Sequence, residues 1–159
     1  MSQDGPGVDL PTSIGYLLKE TATALRTAME AVLRPLGMTV THYSCLELLA
    51  QRPGSSNSEL ARGTFVTRQS MNVLLQTLER DGVVTRPPAA RSGRVMPAQL
   101  TDRGRRDLQA ATAAVRAVED RMLAGLDEDD RAAARRLLQS MVRSLRSAGP
   151  DPDAGDPAG

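Results

Sequence analysis

The chain has 159 residues, of which 40% are hydrophobic, 25% charged and 2% aromatic, and its formal net charge is +1. This is the balance of a globular protein with a Leu, Val, Ala and Met core, a composition that favours helices. One Cys and one His exclude a disulfide framework and a zinc site within one subunit, and no apolar run approaches the roughly 18 residues of a membrane span.

The charge is unevenly placed. Ten arginines and four acids (Glu59, Glu79, Asp81 and Asp102) lie between Arg52 and Arg106, so the small net charge hides a basic middle segment. A polyanionic partner needs positive charge gathered in this way. With one His, one Cys and no phosphate-cradling Gly loop, no enzyme, cofactor or metal is expected. The N-terminus lacks the basic and apolar regions of a signal peptide, so the expected location is cytoplasmic.

Residues 1–9 read as a flexible arm. A first helix is expected to start near Pro11–Thr12, with an apolar stripe of Ile14, Leu17, Leu18, Leu25, Ala28, Met29, Val32, Leu33 and Leu36. Pro35 and Gly37 end it. Thr39 caps a second helix bearing Tyr43, Leu46, Leu49 and Ala50, which stops at Pro53-Gly54. Asn57 or Ser58 caps a short third helix around Glu59–Arg62, Gly63 permits a turn, and Phe65 and Val66 pack inside it. Thr67 caps a fourth helix with Met71, Leu74, Leu75 and Leu78 facing inward, closed by Asp81-Gly82.

Val83–Arg86 reads as a strand, 87–93 as a tip loop, and Arg94–Leu100 as a returning strand made irregular by Pro97. Thr101 caps a long fifth helix carrying Leu108, Ala111, Val115, Val118 and Met122. Asp127 starts a sixth, with Leu137, Leu138, Met141, Val142 and Leu145. Residues 147–159 are Pro/Gly/Asp-rich and read as a disordered tail. The fold class is therefore mostly α with a small β-wing: residues 10–37 a dimerisation helix, 38–101 a winged helix-turn-helix lobe, and 102–146 C-terminal dimerisation helices.

The fourth helix carries the chemistry. Its polar residues Thr67, Arg68, Gln69, Ser70, Asn72 and Gln76 crowd toward its N-terminus, where a helix in the major groove needs short donors and acceptors. Arg68 suits a guanine or a phosphate, Gln69 and Asn72 suit adenine in bidentate fashion, Thr67 and Ser70 suit a phosphate, and Val73 suits a thymine methyl. In the hairpin, Arg86, Arg91 and Arg94 gather with no acid between Arg86 and Arg94. Arg94 is placed in the minor groove and Arg91 on a phosphate.

Four segments resemble the MarR family of winged-helix regulators over roughly Leu10–Arg146. They are Ser58-Glu-Leu-Ala, Val66-Thr-Arg-Gln-Ser, Leu78-Glu-Arg-Asp-Gly-Val-Val-Thr-Arg86 and Leu100-Thr-Asp-Arg-Gly-Arg105. One departure is Ser92, where the family often has an acid two residues before the wing arginine. The resemblance implies a homodimer whose outer helices interlace and whose two recognition helices meet a pseudo-palindromic double-stranded DNA site. It also implies repression relieved by a small aromatic or phenolic effector, with Tyr16, Leu17, His42, Tyr43 and Leu46 as the candidate pocket.

Excess apolar surface on the outer helices independently calls for a dimer interface, with Met29, Val32, Leu33, Leu137, Leu138, Met141, Val142 and Leu145 as candidates. Two alternatives to a specific DNA reader stay open. One is a winged helix used for protein interaction without sequence-specific DNA binding. The other is a thiol-based redox sensor using Cys45, although Leu46 and Leu48 beside it favour a buried structural thiol.

Overall fold

A computed structural model describes residues 7–88, 93 and 96–147. Its elements are α1 (Ile14–Leu33), α2 (Val40–Gln51), α3 (Asn57–Thr64), α4 (Arg68–Arg80), β1 (Val84–Thr85), β2 (Gln99–Leu100), α5 (Asp102–Met122) and α6 (Glu128–Ser147). The fold is that of a winged helix-turn-helix with long flanking helices, as the sequence predicts. Tertiary contacts divide the chain into two units, Met1–Glu119 and Asp120–Gly159.

The helix starts follow capping chemistry. The Thr39 hydroxyl accepts from the His42 amide at 3.1 Å, and the Thr67 hydroxyl accepts from the Ser70 amide at 3.1 Å. Such a bond satisfies one of the amides that a helix start leaves without an internal partner. Two starts differ from the expected ones. The α1 cap is Ser13, because Pro11 lies in a separate 3-10 turn over Leu10–Thr12. The α3 cap is Ser56, whose hydroxyl accepts from the Glu59 amide at 3.2 Å, and Asn57 is already the first helical residue.

The turn between α3 and α4 also departs from expectation. Gly63 lies inside α3, where a β-carbon would come within 2.6 Å of Leu48 Cδ1. The left-handed residue is Phe65, at φ 61°. That backbone conformation lets the Val66 amide donate to the Ala61 carbonyl at 3.0 Å, closing the helix end. It also turns Phe65 outward, 87% exposed, instead of into the turn, and Val66 alone packs partly against the core.

The core of the first unit joins α1 to α5 through the wing. Leu33, Leu46, Leu60, Met71, Leu75, Leu78 and Cys45 are its largest fully buried side chains. Each such leucine contributes about 1.5–3 kcal/mol relative to exposure. Burial on α4 falls on Met71, Leu75 and Leu78, which leaves the opposite face free.

Among the described residues of the wing, the ladder joins two residues on each strand. Val84 pairs with Leu100 and Thr85 with Gln99 in an antiparallel ladder. Among the described residues of the expected returning strand, 96–100, the paired part begins at Gln99, beyond Pro97, which has no amide to donate. Thr101 then fastens the wing to α5. Its hydroxyl lies 2.6 Å from the Gly82 carbonyl and accepts from the Gly104 amide at 3.0 Å.

The second unit contains the end of α5 and α6. Asp127 Oδ1 accepts from the Asp130 amide at 2.8 Å, capping α6. The Arg131 guanidinium donates to the Leu123 and Leu126 carbonyls, both at 3.1 Å, closing the turn before α6. No α6 side chain is buried.

Candidate nucleic-acid interface

The buried stripe of α4 fixes what its other side presents. Thr67, Arg68, Gln69, Ser70, Asn72, Val73 and Gln76 are all exposed. All but Gln76 lie at the cap or in the N-terminal half of the helix, where the backbone dipole is positive and favours an anion. The Thr67 and Ser70 hydroxyls lie 3.0 Å apart, so the cap residue and its neighbour form a small polar cluster at the helix mouth. Val73, 59% exposed, is an apolar element of this face.

Arg86 takes a different place from the one expected. Its guanidinium is half-buried and donates to Asn57 Oδ1 at 3.3 Å. Asn57 Nδ2 in turn donates to Asn72 Oδ1. The foot of the wing, the start of α3 and the polar face of α4 are therefore joined by a chain of three side chains. The segment carrying Arg91, Ser92 and Arg94 lies outside the described residues.

The chain matches the MarR family over residues 36–95. The HTH-type transcriptional repressor Rv2887 of Mycobacterium tuberculosis is 44% identical over 128 residues, 80% of this chain and 92% of that protein. The chain belongs to the MarR family. It shares its fold with Rv2887 in complex with salicylic acid, at TM-score 0.68 and 43% identity over 82% of this chain and 96% of that one. Rv2887 in complex with DNA gives TM-score 0.67 and 39% identity over 82% and 98%. The repressor CouR of Rhodococcus jostii RHA1, bound to a 23-mer DNA duplex, gives TM-score 0.75 and 29% identity over 84% and 95%.

In this MarR-family regulator the five residues expected to line an effector pocket have unequal access to solvent. Tyr16 and Leu17 are exposed on α1, His42 and Tyr43 are half-buried on α2, and Leu46 is wholly inside the core. Leu46 therefore presents no surface to a ligand. The Tyr43 hydroxyl faces Thr112 of α5, and burial raises its pKa above the usual phenol value. Burial also lowers the His42 pKa, opposed by the negative charges of Asp107 and Asp81. A groove of about 800 Å³ lies elsewhere, between α2, β2 and α5, with Glu47, Gln99, Arg105, Thr112 and Arg116 on its walls.

The expected dimer face needs a similar correction. Leu33 is fully buried in its own subunit's core, and Met29 and Val32 pack partly against that core. Leu137, Leu138, Val142 and Leu145 on α6 are exposed, Leu145 to 79%. On α1, Ile14, Leu17 and Leu18 of the expected apolar stripe are exposed. The redox reading of Cys45 loses its chemical basis. The thiol is fully buried 3.8 Å from the Met71 sulfur, and burial pushes its pKa up to about 12. Almost no reactive thiolate is present at neutral pH.

Proposed function

We propose that the chain is a cytoplasmic, homodimeric repressor without enzymatic activity or cofactor. It binds a pseudo-palindromic DNA site and releases it on binding a small aromatic acid. The observation that carries this reading is the exposed polar N-terminal half of α4, opposite a fully buried apolar stripe. Residues 38–101 read the DNA, and residues 10–37 and 102–146 set the spacing of two such lobes. Half-sites one helical turn apart, about 34–36 Å, match a two-fold dimer.

In this reading Arg68 and Gln69 meet base edges, Thr67 and Ser70 hold a phosphate, and Val73 meets a thymine methyl. Arg91 and Arg94 supply the wing contacts. The complexes of Rv2887 with salicylic acid and of CouR with p-coumaroyl-CoA support an aromatic acid, free or as its thioester, as the effector class. Tyr16, Leu17, His42 and Tyr43 are the candidate contacts. Such a ligand acts only by binding one spacing of the two lobes more tightly than the other.

The test is enrichment of bound duplexes from a random pool, repeated with salicylate and with p-coumaroyl-CoA present. A recurrent two-fold site whose recovery falls with one of them is expected. Equal binding of enriched and random duplexes would sink the sequence-specific reading, and a site insensitive to both salicylate and p-coumaroyl-CoA would remove this effector class.

A further inference from the structure

We infer that Arg86 and Asn57 are positioning residues that set the hydrogen-bonding polarity of Asn72, so that α4 offers the DNA an amide donor at this position. The inference deepens the proposed function and rests on it.

The argument starts from what each group can do. An arginine guanidinium donates and never accepts. Where Arg86 meets Asn57 at 3.3 Å, the Asn57 amide must therefore present its oxygen. A planar amide with its oxygen committed on one side has its NH2 on the other. Asn57 Nδ2 faces Asn72, which must answer with Oδ1. Neither amide can be flipped without opposing two donors or two acceptors, so the direction of the chain does not depend on how nitrogen and oxygen are assigned.

The consequence falls on the exposed end. Asn72 Oδ1 is occupied within the lobe, and its Nδ2 is the group left facing outward. A free asparagine reads adenine with both groups at once, accepting from N6 and donating to N7. This one has its Oδ1 turned toward Asn57, so its Nδ2 leads toward the DNA. It suits an acceptor edge, N7 of either purine, O6 of guanine or O4 of thymine, and disfavours cytosine, whose major-groove edge only donates. Half-burial of Asn57 and Arg86 shields their bond from water, so the Asn57 amide is set before DNA arrives.

Duplex selection with wild type and four variants tests this, scoring base preference in place of overall affinity. Asn72→Ala should flatten preference at one position per half-site. Asn57→Asp keeps an acceptor for Arg86 but has no donor for Asn72. Asn72 then turns its Nδ2 inward and its Oδ1 outward, and preference at that position should swing by about tenfold toward cytosine, whose edge only donates. Arg86→Lys, still a pure donor, should keep the wild-type preference, and Arg86→Met should blur it. A helical circular-dichroism melt confirms that each variant folds, and a merely structural role would weaken all sites alike.

If Asn57→Asp selects the wild-type base, or Asn72→Ala leaves preference unchanged, the relay is overturned while the DNA-reading function stands. If wild type itself enriches no sequence, both fall.

Discussion

A β-carbon on Gly104 would lie 2.1 Å from the Val83 carbonyl oxygen, far inside contact distance and against backbone that cannot yield. Gly104→Ala must push α5 off the wing, and the expected loss is about 3 kcal/mol in urea unfolding. His42 supplies a second prediction at this scale. Burial holds its pKa below the usual 6.5, outweighing Asp107 and Asp81, so the folded state favours neutral imidazole. The unfolded chain takes up the proton first on acidification. The stabilisation is present above pH 6.5 and is lost as pH falls toward the lower folded value. Urea midpoints between about pH 7.5 and 5.5 should drop more steeply for wild type than for His42→Gln.

Among the elements, α4 was the most legible in the sequence. Its apolar residues recur at helical spacing, Thr67 caps it and Asp81-Gly82 ends it, so both of its faces follow from the pattern. The role of Arg86 was not legible. Its partner Asn57 lies 29 residues away, and no local pattern carries a contact that only the folded lobe creates. Phe65 was misplaced for a related reason. Hydropathy speaks for burial, but the left-handed backbone that closes α3 decides where the ring points. A prediction about α4 and the wing together follows from their charges. Arg94→Ala should weaken binding across sequences and lower the slope of log affinity against log salt by about 1. Gln69→Ala should leave that slope alone and change base preference, as a salt titration of fluorescence anisotropy will show.

For the molecule as a whole, periodicity finds apolar faces but not what covers them. The stripe on α1 is continuous in sequence, yet Leu33 is buried while Ile14 is 62% exposed. On α6, Leu137, Leu138, Val142 and Leu145 are exposed and Met141 half-buried, and a lone amphipathic helix of this kind is marginal in water. A second copy of the chain is the covering that the proposed function supplies. Sedimentation at micromolar concentration should show a dimer. Leu138→Glu combined with Val142→Glu, one turn apart on α6, should give a monomer with DNA affinity lowered at least tenfold. A wild-type monomer would remove the two-fold reading.

The chain from Arg86 through Asn57 to Asn72 also bears on transplantation. Grafting residues 67–80 into another scaffold would carry every side chain of the α4 face and leave behind the two that orient one of them. The recipient would inherit an asparagine free to turn either way, and with it a relaxed alphabet at one base pair. The portable unit of recognition in this protein is therefore larger than its recognition helix: it runs from the first residue of α3 to the foot of the wing.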